Sequence, residues 1–285
     1  MLKMVIRGAI ALLSVVSIVG VAHAGEFSPY LPAPGGGNVD FNFIHQESPI
    51  LRKGIGGKTP NRPWQQLTQN TYLLSGSYGV TDRFAIDARI GFSETDFQRK
   101  NSNLIQGTDG VSDTLIGFRY RVFDELENAP VTVTFGASGI IQGLYSPTVV
   151  DSIGEGASGA QVGVSIGKLI TPKLALTAEV GGRFRFDTVP EEVFFSLGAS
   201  YSVTSRVGIW ASISHADSLG GLDVGGVGFR PGGFQNVEED NNYADFGGSI
   251  RLWKGLSLTG SYGRRFLGKN TLQGGFFRTG LSYNF

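Results

Sequence analysis

Near its C-terminus the chain alternates with a period of two. Phe277, Thr279, Leu281, Tyr283 and Phe285 fall on one side of an extended segment, and Arg278, Gly280, Ser282 and Asn284 on the other. Successive side chains of a strand point to opposite faces, so one face here is apolar and the other polar. The same pattern recurs upstream. Leu256, Leu258 and Tyr262 alternate with Ser257, Thr259 and Ser261, and Phe84, Ile86, Ala88, Ile90 and Phe92 alternate with Asp87, Arg89 and Gly91. Twelve such stretches are legible, near 37–47, 66–80, 84–98, 110–124, 130–145, 159–170, 174–187, 191–203, 207–218, 241–253, 256–267 and 274–285. Each is long enough for the roughly 9–11 residues that a tilted transmembrane strand needs.

The connections alternate in length. Thr81-Asp82-Arg83, Thr171-Pro172-Lys173, Thr204-Ser205-Arg206 and Lys254-Gly255 are short, with a slightly longer turn from Glu125 to Ala129; 48–65, 99–109, 146–158 and 219–240 are long. Three of the short turns repeat one pattern: Val80-Thr-Asp-Arg-Phe84, Ile170-Thr-Pro-Lys-Leu174 and Val203-Thr-Ser-Arg-Val207. All eleven prolines fall in the N-terminal tail, in loops or turns, or at the start of a stretch, as expected of residues that cannot donate to a strand ladder. The predicted fold is all-β: an up-and-down antiparallel transmembrane barrel of about twelve strands, with short turns and both termini on the periplasmic side. A soluble β-sandwich would also alternate. Its strands are usually shorter, and it does not explain the aromatic residues at the ends of the outward face: Tyr78, Phe84, Phe92, Tyr120, Tyr201, Trp253, Phe266 and Tyr283.

The N-terminus supplies the address. Lys3 and Arg7 precede an apolar run from Gly8 to Val21 that ends in Ala22-His23-Ala24. This is the layout of a secretory signal peptide (residues 1–24), cleaved after Ala24. Residues 25–36 then read as a proline-rich periplasmic tail, with entry into the lumen from below as the alternative, and 37–285 as the barrel. The expected location is the bacterial outer membrane. Composition changes little: formal net charge is zero, so nothing points to nucleic acid, and there is no cysteine, so neither disulfides nor thiolate ligands arise.

The ending Gly280-Leu-Ser-Tyr283-Asn-Phe285 resembles the C-terminal signal of bacterial outer-membrane barrels, which implies that the barrel-assembly machinery reads Tyr283 and Phe285. Three further segments, Ser75-Gly-Ser-Tyr-Gly-Val-Thr-Asp-Arg83, Ser112-Asp-Thr-Leu-Ile-Gly-Phe-Arg-Tyr120 and Gly154-Glu-Gly-Ala-Ser-Gly-Ala-Gln-Val162, resemble the family named for a MetA pathway of phenol degradation. That resemblance implies a transporter-like barrel and raises hydrophobic or aromatic compounds as solutes.

The alternation assigns Arg89, Arg119, Arg121, Arg183, Arg185, Arg251, Arg265 and Arg278 to the lumen, with Asp40, Asp87, Asp113, Glu179 and Asp245. Eight arginines against five acids make an interior that leans positive, which suits polar or anionic solutes; the same residues also suit a salt-bridge network that fills the barrel. The loop 219–240 carries seven glycines with Leu222, Val224, Val227, Phe229 and Phe234; it reads as a mobile external loop, with an inward constriction or an external hydrophobic capture site as the alternatives. Arg264 falls on the lipid face, where a lipopolysaccharide phosphate is a fitting neighbour.

Catalysis finds little support. Ser214 and His215 are adjacent and so point to opposite faces of one strand. Gly154-x-Gly156-x-x-Gly159 matches a dinucleotide motif in spelling but precedes a strand, and no metal-ligand cluster is legible. The expectation is therefore a monomeric, cofactor-free channel for passive uptake of small molecules, with outer-membrane lipid, lipopolysaccharide and the assembly machinery as partners. A structural or adhesive barrel is the second reading, and a surface hydrolase the third.

Overall fold

In the computed structural model of the chain the described residues are 26–53, 59–61, 64–100, 103–147, 151–230 and 232–285. The signal peptide expected over 1–24 lies outside them. Twelve long strands follow one another: β1 (Gly37–Lys53), β2 (Trp64–Thr81), β3 (Phe84–Arg99), β4 (Thr114–Phe123), β5 (Thr132–Ile141), β6 (Gly159–Thr171), β7 (Leu174–Arg185), β8 (Glu192–Ser202), β9 (Val207–Ser218), β10 (Asp240–Arg251), β11 (Leu256–Lys269) and β12 (Leu272–Asn284). Every strand pairs antiparallel with its neighbour in sequence, and β1 closes the sheet on β12, from Asn38 opposite Asn284 to Leu51 opposite Leu272. Closure leaves no long sheet edge to satisfy, which an isolated sheet in lipid would require.

The two faces separate as the alternation predicts. Phe41, Leu74, Ile86, Phe118, Val180, Phe246 and Leu281 are exposed on the outside, whereas Ser93, Thr134, Gln161, Ser165 and Ser282 are buried within. This inverts the soluble pattern and fits a barrel whose solvent is hydrocarbon. Tyr78, Tyr120, Tyr201, Trp253 and Tyr283 stand exposed toward the short-turn end, as an aromatic girdle requires.

The repeated turn sequence has a local cause. In each case the threonine hydroxyl accepts the backbone N–H two residues on: Thr81 from Arg83 at 3.2 Å, Thr171 from Lys173 at 3.2 Å and Thr204 from Arg206 at 3.1 Å. The hydroxyl replaces a backbone turn bond and fixes the hairpin. The longer turn between β4 and β5 is a single 3-10 turn, Glu125–Glu127, capped by Asp124 Oδ1 on the Leu126 N–H at 2.9 Å.

Two details depart from the expected boundaries. Strand β1 runs on to Lys53, so Ser48 and Pro49 lie inside it and not in a loop; the register breaks between Glu47 and Ile50, a bulge where the missing proline N–H does no harm. The segment expected as a loop from 48 to 65 also contains a short strand, Thr59–Asn61, paired with the end of β1.

Candidate functional site

The tail takes the alternative course. Its proline content predicts an extended leader outside the barrel, yet residues 26–31 lie within the lumen: Phe27, Ser28, Tyr30 and Leu31 are all buried. The chain crosses the rim at the short-turn end, where the Gly35 N–H donates to the Gly79 carbonyl at 2.8 Å. Inside, the tail sits on a track of small residues. A Cβ at Gly136 would lie 2.2 Å from the Phe27 ring, and one at Gly163 2.9 Å from it, so the ring occupies the space that these two glycines leave open. The apolar side chains at 27, 30 and 31 were the signal; with no period to organise them, they read as leader.

Polar groups of the wall then satisfy the tail's backbone. Thr134 donates to the Pro29 carbonyl at 2.7 Å, and Glu179 accepts the Phe27 N–H at 2.8 Å. Arg119 donates to the carbonyls of Ser28 and Tyr30 while pairing in bidentate fashion with Asp87, 2.8 Å in each arm. Glu26 lies between Arg89 (3.0 Å) and Arg183 (3.1 Å). Burial alone would raise the Glu26 carboxyl, but the two guanidinium groups outweigh it and hold the group at about 2.

The opposite end is covered as well. The loop 219–240 reads as mobile and external, but it folds inward. Val224 and Val237 pack with Leu51, Leu67 and Phe97 in one apolar cluster, ringed by Phe229, Phe234 and Leu272; Val227 alone of the apolar residues noted there is wholly exposed. Asn270 stitches the loop down, donating to Asp223 and to the Glu238 carbonyl, both at 2.9 Å. Lys269 adds a 2.7 Å ion pair to Glu238. A second loop, 142–158, is anchored by the Tyr145 hydroxyl, which donates to Asp113 and accepts the Gly156 N–H at 2.8 Å.

Between tail and lid lies a cavity of about 730 Å³. Of the charged residues assigned to the lumen, Asp40, Asp87, Arg89, Arg119, Glu179, Arg183, Arg265 and Arg278 line it. Arg185 and Asp113 pair at 2.6 Å beside the 142–158 loop, Arg121 pairs with Asp124 at 3.0 Å at the short-turn end, and Asp245 accepts Trp210 Nε1 at 3.0 Å. Arg251 has the same parity at the short-turn end of β10.

The charge balance of the lumen differs from the expected positive lean. Four more carboxylates line the cavity: Glu26 from the tail, Glu155 and Glu239 from loops, and Glu192 from the first residue of β8. Among the described residues that line the cavity, seven acids thus face five arginines. Glu26, Glu155 and Glu239 lie outside the alternating strands, so strand parity did not reveal them; Glu192 shares the inward parity of Ser196 at the very start of its strand and was passed over. Glu192 pairs with Arg183 at 2.5 Å. Burial and the neighbouring Glu192 charge push Glu155 up, and burial with Glu155 holds Glu239 at about 7. Among the described residues Arg265 and Arg278 have no carboxylate within ion-pair distance, and Arg278 Nε is buried without a partner. Tyr243, directly opposite Arg265 on β10, stacks edge-on against Phe276 at 6.2 Å.

Ser214 is buried in the lumen wall and His215 is exposed on the outside, where its Nδ1 lies 3.0 Å from Asn242 Oδ1. The two do not form a nucleophile–base pair.

No family model matches the chain, so the phenol-degradation family suggested by the strand motifs is not confirmed, and no curated protein matches it. Solved structures do. An outer membrane channel from Pseudomonas putida F1 aligns over 92% of this chain and 99% of its own, at 13% identity and a TM-score of 0.72. The translocator domain of the autotransporter NalP from Neisseria meningitidis aligns over 89% of this chain and 90% of its own, at 12% identity and a TM-score of 0.54. The shared feature is the closed barrel of the outer-membrane type.

Proposed function

We propose that the chain is an outer-membrane channel for the passive uptake of small molecules, exported by a signal peptide cleaved after Ala24. In this reading the short turns and both termini face the periplasm and the 219–240 lid faces outward. The observation that carries it is the cavity between tail and lid. Both closures are made by chain segments outside the twelve-strand wall, so either can yield without breaking the barrel. A barrel built only for strength would fill that volume with side chains.

The finer reading concerns the solute. Phe234 and Val237 of the lid, with Leu51 of β1 and Leu272 of β12, face the cavity. Below them stand Tyr243 and the two arginines without acid partners. An apolar mouth followed by two arginines without acid partners suits a small aromatic compound that carries an anionic group, and the motif resemblance to the phenol-degradation family points the same way. Tyr283 and Phe285, exposed on the outer face, suit a surface read by the assembly machinery during insertion. The barrel acts as a monomer.

Solute flux into liposomes loaded with the protein tests this reading. Benzoate-type acids and phenols are expected to enter faster than sugars of similar size. Closure at both ends also favours a second reading, a barrel that transports nothing, and equal impermeability to every solute would select it.

A further inference from the structure

Arg264 is exposed on the outer face of β11, in line with Leu258 and Tyr262. Among the described residues it has no ion pair. A charge facing hydrocarbon is costly at mid-depth and nearly free at the interface, so its height matters. It lies eight residues above Leu256 at the short-turn end. At about 3.4 Å per residue and a tilt of about 40°, that climb is roughly 21 Å, against an apolar band of about 25 Å. Arg264 therefore stands at the upper edge of the band.

Its surroundings are open. The cross-strand neighbours on its two sides are Ala244 and Gly275, so the wall is bare to either side of the guanidinium. The Tyr262 hydroxyl reaches into the gap over Gly275, 2.8 Å from where a Cβ would stand. Across Gly275, in the same outward row, stands Glu47 of β1, 70% exposed and 3.7 Å from His45 Nε2, and His215 is bonded to Asn242 at 3.0 Å. An exposed guanidinium and a hydroxyl donor thus share this outward face near headgroup height.

We propose that Arg264 and Tyr262 dock a phosphate of the phosphorylated glycolipid, lipopolysaccharide, that forms the outer leaflet. The inference rests on the outer-membrane reading above. Guanidinium binds phosphate through two parallel hydrogen bonds, and the small residues on either side let the headgroup come close to the strand backbone. Docking there orders the lipid beside the seam between β11 and β12.

The test is lipid binding to the full mature barrel in detergent, read by native mass spectrometry. Arg264→Gln is compared with wild type and with Arg206→Gln, which alters an exposed arginine at the short-turn end. The probes are lipopolysaccharide, the same material after dephosphorylation, and phosphatidylglycerol. Arg264→Gln is expected to weaken lipopolysaccharide binding about fivefold, a loss of about 1 kcal/mol. Arg206→Gln is expected to change nothing, and the dephosphorylated probe to bind both proteins alike. An unchanged affinity in Arg264→Gln overturns the proposal, as does equal weakening toward the dephosphorylated probe or equal competition by phosphatidylglycerol. A wild-type protein that inserts into no bilayer overturns the membrane reading itself, which separates the two failures.

Discussion

Arg119 donates through one nitrogen to the backbone carbonyl of Tyr30 at 3.0 Å, joining the barrel wall to a segment that lies 89 residues earlier in the chain. The same guanidinium grips Asp87 with its other arm and reaches Ser77 at 2.7 Å. One side chain therefore ties β2, β3, β4 and the tail into a single unit. A planar fork with five donors can serve all these acceptors at once, which an ammonium cannot.

Arg119→Lys is accordingly expected to loosen the tail while keeping the charge. Arg119→Ala goes further and leaves Asp87 without its counter-ion in the wall. Breaking a pair of this kind costs about 3 kcal/mol. Thermal unfolding followed by gel mobility should place the alanine variant lowest, the lysine variant between, and wild type highest. Equal unfolding temperatures would remove the clamp from the account.

The glycine track makes a sharper prediction about position. Gly136→Val puts a branched side chain where the Phe27 ring sits, and the tail must leave. Because the chain has no cysteine, Ser28→Cys is a clean reporter of this event. Ser28 is only 3% exposed, so a maleimide is expected to label Ser28→Cys slowly in the native barrel and at least tenfold faster once Gly136→Val is added. Similar rates in the two proteins would mean that the ring finds another seat.

Acid should act on the tail through Glu26. Its carboxyl stands at about 2 when docked between Arg89 and Arg183, below the ordinary value of 4.5. A lowered pKa stabilises the docked form fully above about 4.5, and that contribution fades as the pH falls toward 2. Labelling of Ser28→Cys by an acid-tolerant thiol reagent should accelerate across this window, and Glu26→Gln should abolish the acceleration.

Glu239 works at the other end of the scale. Held at about 7, it is largely neutral at pH 5 and charged at pH 8.5, while Arg265 and Arg278 stay cationic throughout. Reversal potentials across a salt gradient should show more anion preference at pH 5 than at pH 8.5. Glu239→Gln should flatten most of that difference. The raised pKa carries the opposite sign for folding, since stability contributed by the protonated form is lost as the pH rises from about 4.5 through 7.

Lid packing is the remaining target. Val237 is buried among Leu51, Leu67 and Phe97, and Val237→Asp places a carboxylate in that cluster. Losing the burial of one valine costs about 1.5–3 kcal/mol, and the buried charge adds to it. The barrel keeps its strands, but the mouth should open, seen as faster cleavage within 219–240 by an added protease. Resistance equal to wild type would mean that the lid does not depend on this cluster.

Strand positions were legible because lipid outside and water inside impose opposite demands on neighbouring residues, and a segment such as Leu256 to Tyr262 records both. Parity also placed Arg119 with Asp87, Arg185 with Arg183, and Arg264 alone on the outside. It was silent where the chain has no period. Phe27 and Tyr30 are held by glycines more than a hundred residues away, and nothing local announces that pairing. Val224 and Val237 meet the tops of β1 to β3 through a loop whose glycines suggested freedom. Glu26, Glu155 and Glu239 came from these same segments, so the lumen read as more positive than it is.

If the lumen is a solute path closed by removable segments, removing one of them opens it. Single-channel recording in planar bilayers compares the mature chain with a variant lacking residues 26–34. The predicted result is small, intermittent steps for the full chain and larger, persistent steps for the deletion. If both proteins insert and neither conducts, the barrel is sealed by its wall and the uptake proposal fails.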